Sequence, residues 1–298
     1  MYAIIYTGEV RTIEKTIDYF KNVLSENMHV FAVLQSKDTK YYTDFVTEKL
    51  GTNLKSIEWF ENTQEWIQIR DSLLQDMTMP DIWKDYLKNS GSMIEYYQMY
   101  LASKKIEQKE NLEHFKYDYV MRIRCDVILT HPIDFDINRL SKQETNDFLQ
   151  EIKLYHTDTL SAMKIFMKSF FHRQRMYAKT YDQNQISDSF SPNTDLHDYL
   201  LNGDYVISLR VNVIYFMKRK TFEKISHLGI TYGKYKMKNQ EYWFNAESQF
   251  QTICTENNID VFDSTMDIED KSLYNYTESD YFENGNLKTD CLFFIRRY

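Results

Sequence analysis

Residues 117–129, YDYVMRIRCDVIL, form the most strand-like stretch of the chain and decide the fold that the sequence predicts. Side chains alternate between the two faces of an extended strand, so Arg122, Arg124 and Asp126 are expected on one face. The other face is apolar and consists of Met121, Ile123 and Cys125. Charged side chains near the end of a buried strand must be paired or bind a ligand. Because ligands of open α/β sheets bind beyond the carboxyl ends of the strands, this stretch predicts a binding site there.

The residues before this strand alternate between strand and helix patterns. Tyr2–Tyr6 is a short apolar run that predicts a buried first strand, followed by a loop at Thr7-Gly8-Glu9. Further strands are predicted at 29–34 and 56–60, and helices at 12–24, 41–50, 64–77, 81–88 and 92–109. This βαβα order predicts an α/β fold with a mostly parallel central sheet and helices on both faces.

The second half of the chain is less regular. Its predicted strands lie at 204–209 and 259–262, and its predicted helices at 164–177, within 211–228 and at 241–257. The segments 180–202 and 263–289 are polar and predict loops, and the chain ends on an apolar run at Leu292–Ile295. There is no internal repeat and no linker rich in Pro, Gly or Ser, so we expect a single domain over 1–298.

Composition and charge exclude several classes of protein. Hydrophobic residues make up 43% of the chain, which is enough for a core and excludes a wholly disordered protein. The net charge of -8 argues against binding to nucleic acid, which needs a basic surface. The three cysteines are widely spaced and form no disulfide framework. With no secretory signal at Met1–Tyr6 and no run of ~18 apolar residues, we expect a cytoplasmic protein without a membrane span.

Familiar catalytic motifs do not occur in the sequence. It contains no G-x-G-x-x-G, no G-x-x-x-x-G-K-[ST] and no G-x-S-x-G, so dehydrogenases, P-loop kinases and α/β-hydrolases lose their usual signatures. The histidines show no H-x-H or H-E-x-x-H spacing, so a zinc hydrolase is unsupported.

Two further elements are candidates for a binding site. The loop after the first predicted strand carries Gly8 and Arg11 in a G-x-x-R pattern, just before a helix. Gly8 would let the backbone approach a ligand closely, and Arg11 would stand at a helix N-terminus, where an anion also meets free N–H groups. The predicted helix at 92–109 opens with Ser92 and Glu95, which form a capping box.

The stretch 117–129 resembles the GT-A class of glycosyltransferases. These enzymes carry an Asp-X-Asp motif after a central strand, and Arg124-Cys125-Asp126 stands in its place. Arg-X-Asp variants of this kind are similar to those of capsule-type and viral glycosyltransferases. The resemblance implies a GT-A-like fold, with a nucleotide-sugar-binding half at 1–130 and a less regular acceptor-side half at 131–298. It also implies a Mn²⁺ or Mg²⁺ ion, held partly by Asp126, that bridges the donor's diphosphate.

The resemblance also assigns the donor-binding residues. The donor's diphosphate would meet Arg11, Arg122 or Arg124 beside Gly8, and Gln98 or a tyrosine of the same helix would lie near the donor. Arginine can neutralise phosphate directly, so the residue that replaces the first acidic position leaves the need for a metal open. The alternative is that Arg124 and Asp126 pair with each other and only fix the end of the strand.

The acceptor side offers two candidate bases. The segment 242–250 resembles a helix near the end of these transferases and supplies Glu247, and Asp204 is the second candidate. An inverting transfer needs such a carboxylate to deprotonate the acceptor hydroxyl of a glycan or glycoconjugate, whereas a retaining transfer does not. The alternative functions are a non-catalytic sugar- or protein-binding module on the same fold and a nucleotidyltransferase.

Overall fold

A sheet of seven strands forms the centre of the protein. The structure is a computed structural model and describes residues 1–60, 64–75, 81, 84–85, 88, 92–129, 141–143, 196–209, 213–231, 250, 253–264, 282–283, 286–287 and 293–295. The strands are β1 (Tyr2–Glu9), β2 (Met28–Gln35), β3 (Leu54–Trp59), β4 (Tyr119–Arg124), β5 (Val127–Leu129), β6 (Tyr205–Leu209), β7 (Ile214–Lys218), β8 (Asp260–Ser264), β9 (Phe282–Glu283), β10 (Asn286–Leu287) and β11 (Phe293–Ile295).

The strand order of the sheet is β3-β2-β1-β4-β7-β6-β8. The pairs β3–β2, β2–β1 and β1–β4 are parallel. Strand β7 runs antiparallel to its two neighbours, β4 and β6, and β8 is parallel to β6. The sheet is therefore mostly parallel, as predicted. The chain passes from β1 to β2 on one side and places β4 on the other side of β1. This makes the carboxyl ends of β1 and β4 a switch point, where open α/β sheets form a crevice.

Helices cover both faces of the sheet, as the alternating pattern predicted. They are α1 (Ile13–Asn22), α2 (Thr39–Leu50), α3 (Gln64–Gln75), α4 (Ser92–Glu113), α5 (Leu196–Asn202), α6 (Arg219–Ile225) and α7 (Leu228–Thr231). Apolar residues of α1 and α2 pack with Ile4 and Tyr6 in one core cluster, and those of α3, α4 and α6 pack with Ala3 and Ile5 in a second. Because β1 is buried on both faces, its apolar run carries no alternation with polar residues.

The predicted strand at 117–129 is interrupted in the structure. β4 ends at Arg124, Cys125 and Asp126 form a turn, and β5 leaves the sheet to pair with β11. The amide of Cys125 still donates to Thr7 O at 2.7 Å, but its carbonyl accepts from the Thr16 hydroxyl at 2.6 Å. A side chain of α1 thus takes this carbonyl out of the ladder. Asp126 lies in a turn, and the expectation that it continues the strand face was wrong.

The second half of the chain differs from the prediction in detail. Strand β7 was not predicted, although it is the antiparallel strand that joins β4 to β6. A short hairpin of β9 and β10 lies inside the segment that predicted only loop. Strands β6 and β8 agree with the predicted ones. The predicted helix at 164–177 lies outside the described residues. The division into a donor half and an acceptor half stays a prediction.

Membrane insertion receives no support from the part of the chain that the structure describes. None of the helices there is long and apolar enough to cross a bilayer.

Candidate functional site

The candidate site lies at the carboxyl edge of the sheet, the edge at which β1, β2, β3 and β4 end. Arg122 and Arg124 stand opposite Ile5 and Thr7 of β1 in the parallel register. Ile5 belongs to the core cluster under α4, so both arginines project on that face of the sheet. Their placement on one face, opposite Met121 and Ile123, confirms the alternation that the sequence predicted.

Arg122 is a buried guanidinium with three kinds of partner. Its Nε donates to Thr7 Oγ1 at 3.1 Å, and its Nη2 lies 3.5 Å from Glu95 Oε2. Its Cζ lies 5.8 Å from the ring centroid of Tyr215 on β7. Only 3% of the side chain is exposed. A charge this deeply buried needs such compensation.

Arg124 and Asp126 form a two-pronged ion pair. Nε of Arg124 donates to Oδ1 of Asp126 at 3.0 Å and Nη2 donates to Oδ2 at 2.5 Å. Burial opposes the charge of Arg124, but the carboxylates of Asp126 and Glu95 outweigh it and raise the pKa of this guanidinium. About one-fifth of each side chain is exposed, 20% for Arg124 and 19% for Asp126. The pair is therefore formed, as the alternative interpretation supposed, and it remains accessible from solvent.

Glu95 joins the two arginines. Its Oε1 lies 3.9 Å from Nη1 of Arg124, and its Oε2 faces Arg122. Glu95 sits in the first turn of α4, where a negative charge is favoured by the helix dipole. The sequence predicted only a capping role for this residue. The sequence does show an acidic residue at the start of the helix that precedes the arginine-containing strand. That pattern does not indicate which basic side chains the carboxylate contacts.

Gly8 is required by packing against Cys125. Its φ of 128° is one that residues with a side chain rarely adopt, and a Cβ there would stand 2.9 Å from Cys125 Sγ. Burial raises the pKa of the Cys125 thiol, so this contact is made by a neutral group. The glycine thus lets the end of β1 approach the turn of Asp126. Its direct contact with a donor stays a prediction.

Arg11 completes the charged edge from the exit of β1. It lies in a short 3₁₀ turn at Val10–Thr12 and pairs with Glu9. The hydrogen bond that Arg11 donates to Glu9 raises the pKa of Arg11 and burial lowers it, while the charge of Asp126 raises it and that of Arg124 lowers it. Arg11 follows directly after β1, and Thr7 of β1 is the register partner of Arg124, so Arg11 lies at the same edge of the sheet as the Arg124–Asp126 pair. With 57% of its side chain exposed, it is the most open of the three arginines.

Gln98 lies one turn beyond Glu95 on α4. Only 1% of it is exposed, and its Nε2 has no hydrogen-bond partner within the described part of the chain. Unpaired buried polar groups are uncommon and need an explanation. The predicted role of Gln98 near a donor fits this feature and stays a prediction.

Asp204 does not lie at this edge. It precedes β6, which runs parallel to β4, so it belongs to the edge where β4 begins. At about 3.3 Å per residue, the register separates it from Arg124 by about 20 Å. Burial raises the pKa of Asp204, but hydrogen bonds from Lys224 and Thr221 lower it overall. Lys224 Nζ donates to Asp204 Oδ2 at 2.6 Å. Glu247, the other candidate base, lies outside the described residues.

The carboxylates of this edge do not fit a ready-made metal site. Both oxygens of Asp126 accept from Arg124, Glu95 faces two arginines, and Glu9 pairs with Arg11. Across the described ranges, no group of three His, Cys, Asp or Glu side chains could hold an ion. The metal-ligand role of Asp126 stays a prediction, and no step below depends on it.

Comparisons with known proteins show only weak similarity to solved structures. The chain matches no known protein family, and no curated protein matches it. The structure is similar to that of mouse xyloside xylosyltransferase 1 in its apo form, with a TM-score of 0.34 and 9% sequence identity. The match covers 87% of this chain and 84% of the mouse chain. At a TM-score this low, the similarity supports no conclusion about function.

Proposed function

We propose that this protein is a glycosyltransferase of the GT-A type that binds the diphosphate of a nucleotide-sugar donor at the carboxyl edge of β1 and β4. The observation that carries the proposal is the pair of guanidiniums of Arg122 and Arg124. They project on one face at the switch point of a mostly parallel sheet, and the exposed Arg11 follows the end of β1 at the same edge. A planar guanidinium can meet two phosphate oxygens at once, which makes arginine the usual partner of planar or bidentate anions.

The arrangement suits the departure of a diphosphate. In the transfer, the acceptor's hydroxyl oxygen forms a bond to the anomeric carbon, and the bond from that carbon to the diphosphate oxygen breaks. The leaving nucleoside diphosphate keeps the electron pair. Arg11 and Arg124 would stabilise the negative charge that develops on it, and Arg124 is already held in place by Asp126 before the reaction. Arg122, which is buried, would position Arg124 through their shared contact with Glu95.

The acceptor's proton needs a carboxylate if the reaction inverts the anomeric centre. Glu247 is our candidate. Phe250, three residues later in the chain, stacks on Tyr215 with ring centroids 4.3 Å apart, and Tyr215 is the ring that Arg122 contacts. Asp204 is left out of the proposal because it lies at the opposite edge and pairs with Lys224.

Binding of nucleosides and their diphosphates tests the proposal. Uridine or guanosine diphosphate should raise the melting temperature, since a ligand that binds only the native state stabilises it. Arg124→Lys keeps the positive charge but loses the planar guanidinium that can donate to two phosphate oxygens at once. One hydrogen bond to a charged group contributes roughly 1.5–3 kcal/mol, so diphosphate affinity should fall about ten- to a hundredfold. Affinity for the nucleoside alone should stay the same.

The control is Lys49→Gln, which breaks an exposed ion pair between Lys49 and Asp18 and should leave diphosphate affinity unchanged. Normal diphosphate affinity in Arg124→Lys would contradict the donor site. Release of nucleoside diphosphate from a panel of nucleotide sugars separates a transferase, which hydrolyses its donor slowly, from a pure binding module. Release of pyrophosphate from a nucleoside triphosphate would instead indicate a nucleotidyltransferase.

A further inference from the structure

The charges of the carboxyl edge are balanced before any ligand binds. Arg11 pairs with Glu9, Arg124 pairs with Asp126, and Glu95 faces the guanidinium of Arg122. Among these contacts, the ion pair between Arg124 and Asp126 is bidentate: two N–H groups of the guanidinium donate to the two carboxylate oxygens. Asp126 is therefore already occupied at the atoms that a metal ion would need.

We infer that the diphosphate binds here without a divalent cation, by replacing Asp126 on the guanidinium of Arg124. This inference rests on the proposed function and says how the same site takes its ligand. Asp126 acts in it as an internal anion that holds Arg124 in place until the diphosphate arrives.

The geometry of the pair permits such an exchange. A carboxylate and a phosphate group both present two oxygens at a spacing that matches the guanidinium fork. Asp126 lies in the turn after β4 and its side chain is 19% exposed, so rotation about its side-chain torsions can move the carboxylate from Arg124 toward solvent. The Arg124 side chain is 20% exposed, so an anion from solvent can reach it, whereas Arg122 at 3% is closed off.

A divalent cation on Asp126 would meet an unfavourable charge. It would stand next to the guanidinium that already holds both carboxylate oxygens, and like charges at this separation repel strongly when partly buried. Arg124 and the exposed Arg11 supply the positive charge that a metal would otherwise bring to the diphosphate. Within the described residues, no cluster of three ligating side chains offers a second place for the ion.

Asp126→Asn separates exchange from metal ligation because the two predict opposite signs. Asparagine keeps the shape of the side chain but offers Arg124 only a neutral acceptor, which binds less strongly than a carboxylate. With EDTA present, uridine or guanosine diphosphate should therefore bind the variant about five- to tenfold more tightly than the wild type. If Asp126 is a metal ligand, the variant should bind the diphosphate more weakly in the presence of Mn²⁺, and this result overturns the inference.

A second measurement uses the wild-type protein and does not depend on the variant's folding. Calorimetric titration with the diphosphate should give the same affinity, within about twofold, in EDTA and in Mn²⁺. Binding that appears only with Mn²⁺ overturns the exchange and leaves the proposed function standing. No binding under either condition overturns both. Asp18→Asn, which removes an exposed carboxylate paired with Lys49, is the matched control and should leave both titrations unchanged.

Discussion

The two edges of the central sheet use the same kind of ion pair in different surroundings. At the edge where β4 begins, Glu110 of α4 accepts from Nε and Nη2 of Arg219 at 2.8 and 2.9 Å, from Lys116 Nζ at 2.9 Å and from the amide of Tyr117 at 3.2 Å. Its side chain is 0% exposed. At the edge where β4 ends, Asp126 accepts from Arg124 and remains 19% exposed.

The difference teaches which arginine–carboxylate pairs can bind a ligand. Glu110 is buried and accepts four hydrogen bonds, two of them from Arg219, so an incoming anion has no room to replace it. Burial raises the pKa of Glu110, but its hydrogen bonds from Arg219, Lys116 and Tyr117 lower it overall, so the carboxylate stays charged. Asp126 has one arginine as its partner and an open side toward solvent. The first pair joins α4 to the start of α6, and the second can exchange its anion.

The largest expected effect is on the transfer rate, from loss of the proposed general base Glu247 rather than from breaking either arginine–carboxylate pair. Glu247→Gln should lower the rate of an inverting transfer by about 10²–10⁴-fold, the usual range for a general base, with donor affinity unchanged. Asp204→Asn changes a carboxylate at the opposite edge and should leave the rate unchanged. Steady-state kinetics with one donor and acceptor compare the two. A normal rate in Glu247→Gln would show that Glu247 is not the general base. A loss of rate in Asp204→Asn alone would contradict the assignment of the reaction to the edge where β4 ends.

The next effect should be on stability alone. Glu110→Gln leaves Arg219 buried without its two-pronged charged partner, and breaking a buried pair costs about 3–5 kcal/mol. Urea titration should show this loss of the free energy of unfolding. Diphosphate affinity, measured where the variant remains folded, should match the wild type. The control Asp18→Asn breaks an exposed pair and should cost at most about 1 kcal/mol. An equally small loss of unfolding free energy in Glu110→Gln would mean that the buried pair does not stabilise the fold.

The smallest effect concerns pH. His29 of β2 lies beside Tyr117, with Nδ1 2.7 Å from the hydroxyl oxygen. Burial, followed by the charges of Lys55 and Lys109, lowers the pKa of His29 to about 4 from an ordinary value of 6.5. Between these values the unfolded chain binds a proton that the folded chain does not, so stability falls as the pH falls from 6.5 to 4.

His29→Asn should flatten this part of the melting-temperature profile. Tyr117→Phe keeps the histidine and its burial, so it should keep the slope. A profile unchanged by His29→Asn would show that other groups cause the fall.

The sequence was informative where burial alone decides the structure. The apolar run of β1, the alternation around Arg122 and the helices flanking them follow from local patterns, because each residue's environment repeats along the element. The contacts between elements were not accessible in this way. Strand β7 has no distinctive pattern because a buried antiparallel strand and a buried helix segment share short apolar runs. The break after Arg124 depends on a hydroxyl of Thr16, far away in sequence.

In the candidate site, too, local patterns could be predicted and contacts between elements could not. Arg122 and Arg124 could be predicted because charged residues break the apolar pattern of a central strand. Glu95 could not, because its partners are fixed by how α4 lies across β4. That Asp204 lies at the opposite edge of the sheet from Arg124 could not be predicted either, since a sequence gives the position of a strand but not the direction in which it enters the sheet.

The pairing of β5 with β11 has a consequence for how the protein is made. Phe293–Ile295 aligns with Val127–Leu129, the strand that directly follows the turn of Asp126. A ribosome releases β1 and β4 long before it releases these residues. The parallel strands β1 to β4, with their arginines, can therefore pair on the nascent chain while the strand after the turn still lacks its partner. Closing so long a loop is slow relative to local folding. The turn of Asp126 would then take its final form only after residues 293–295 have been released.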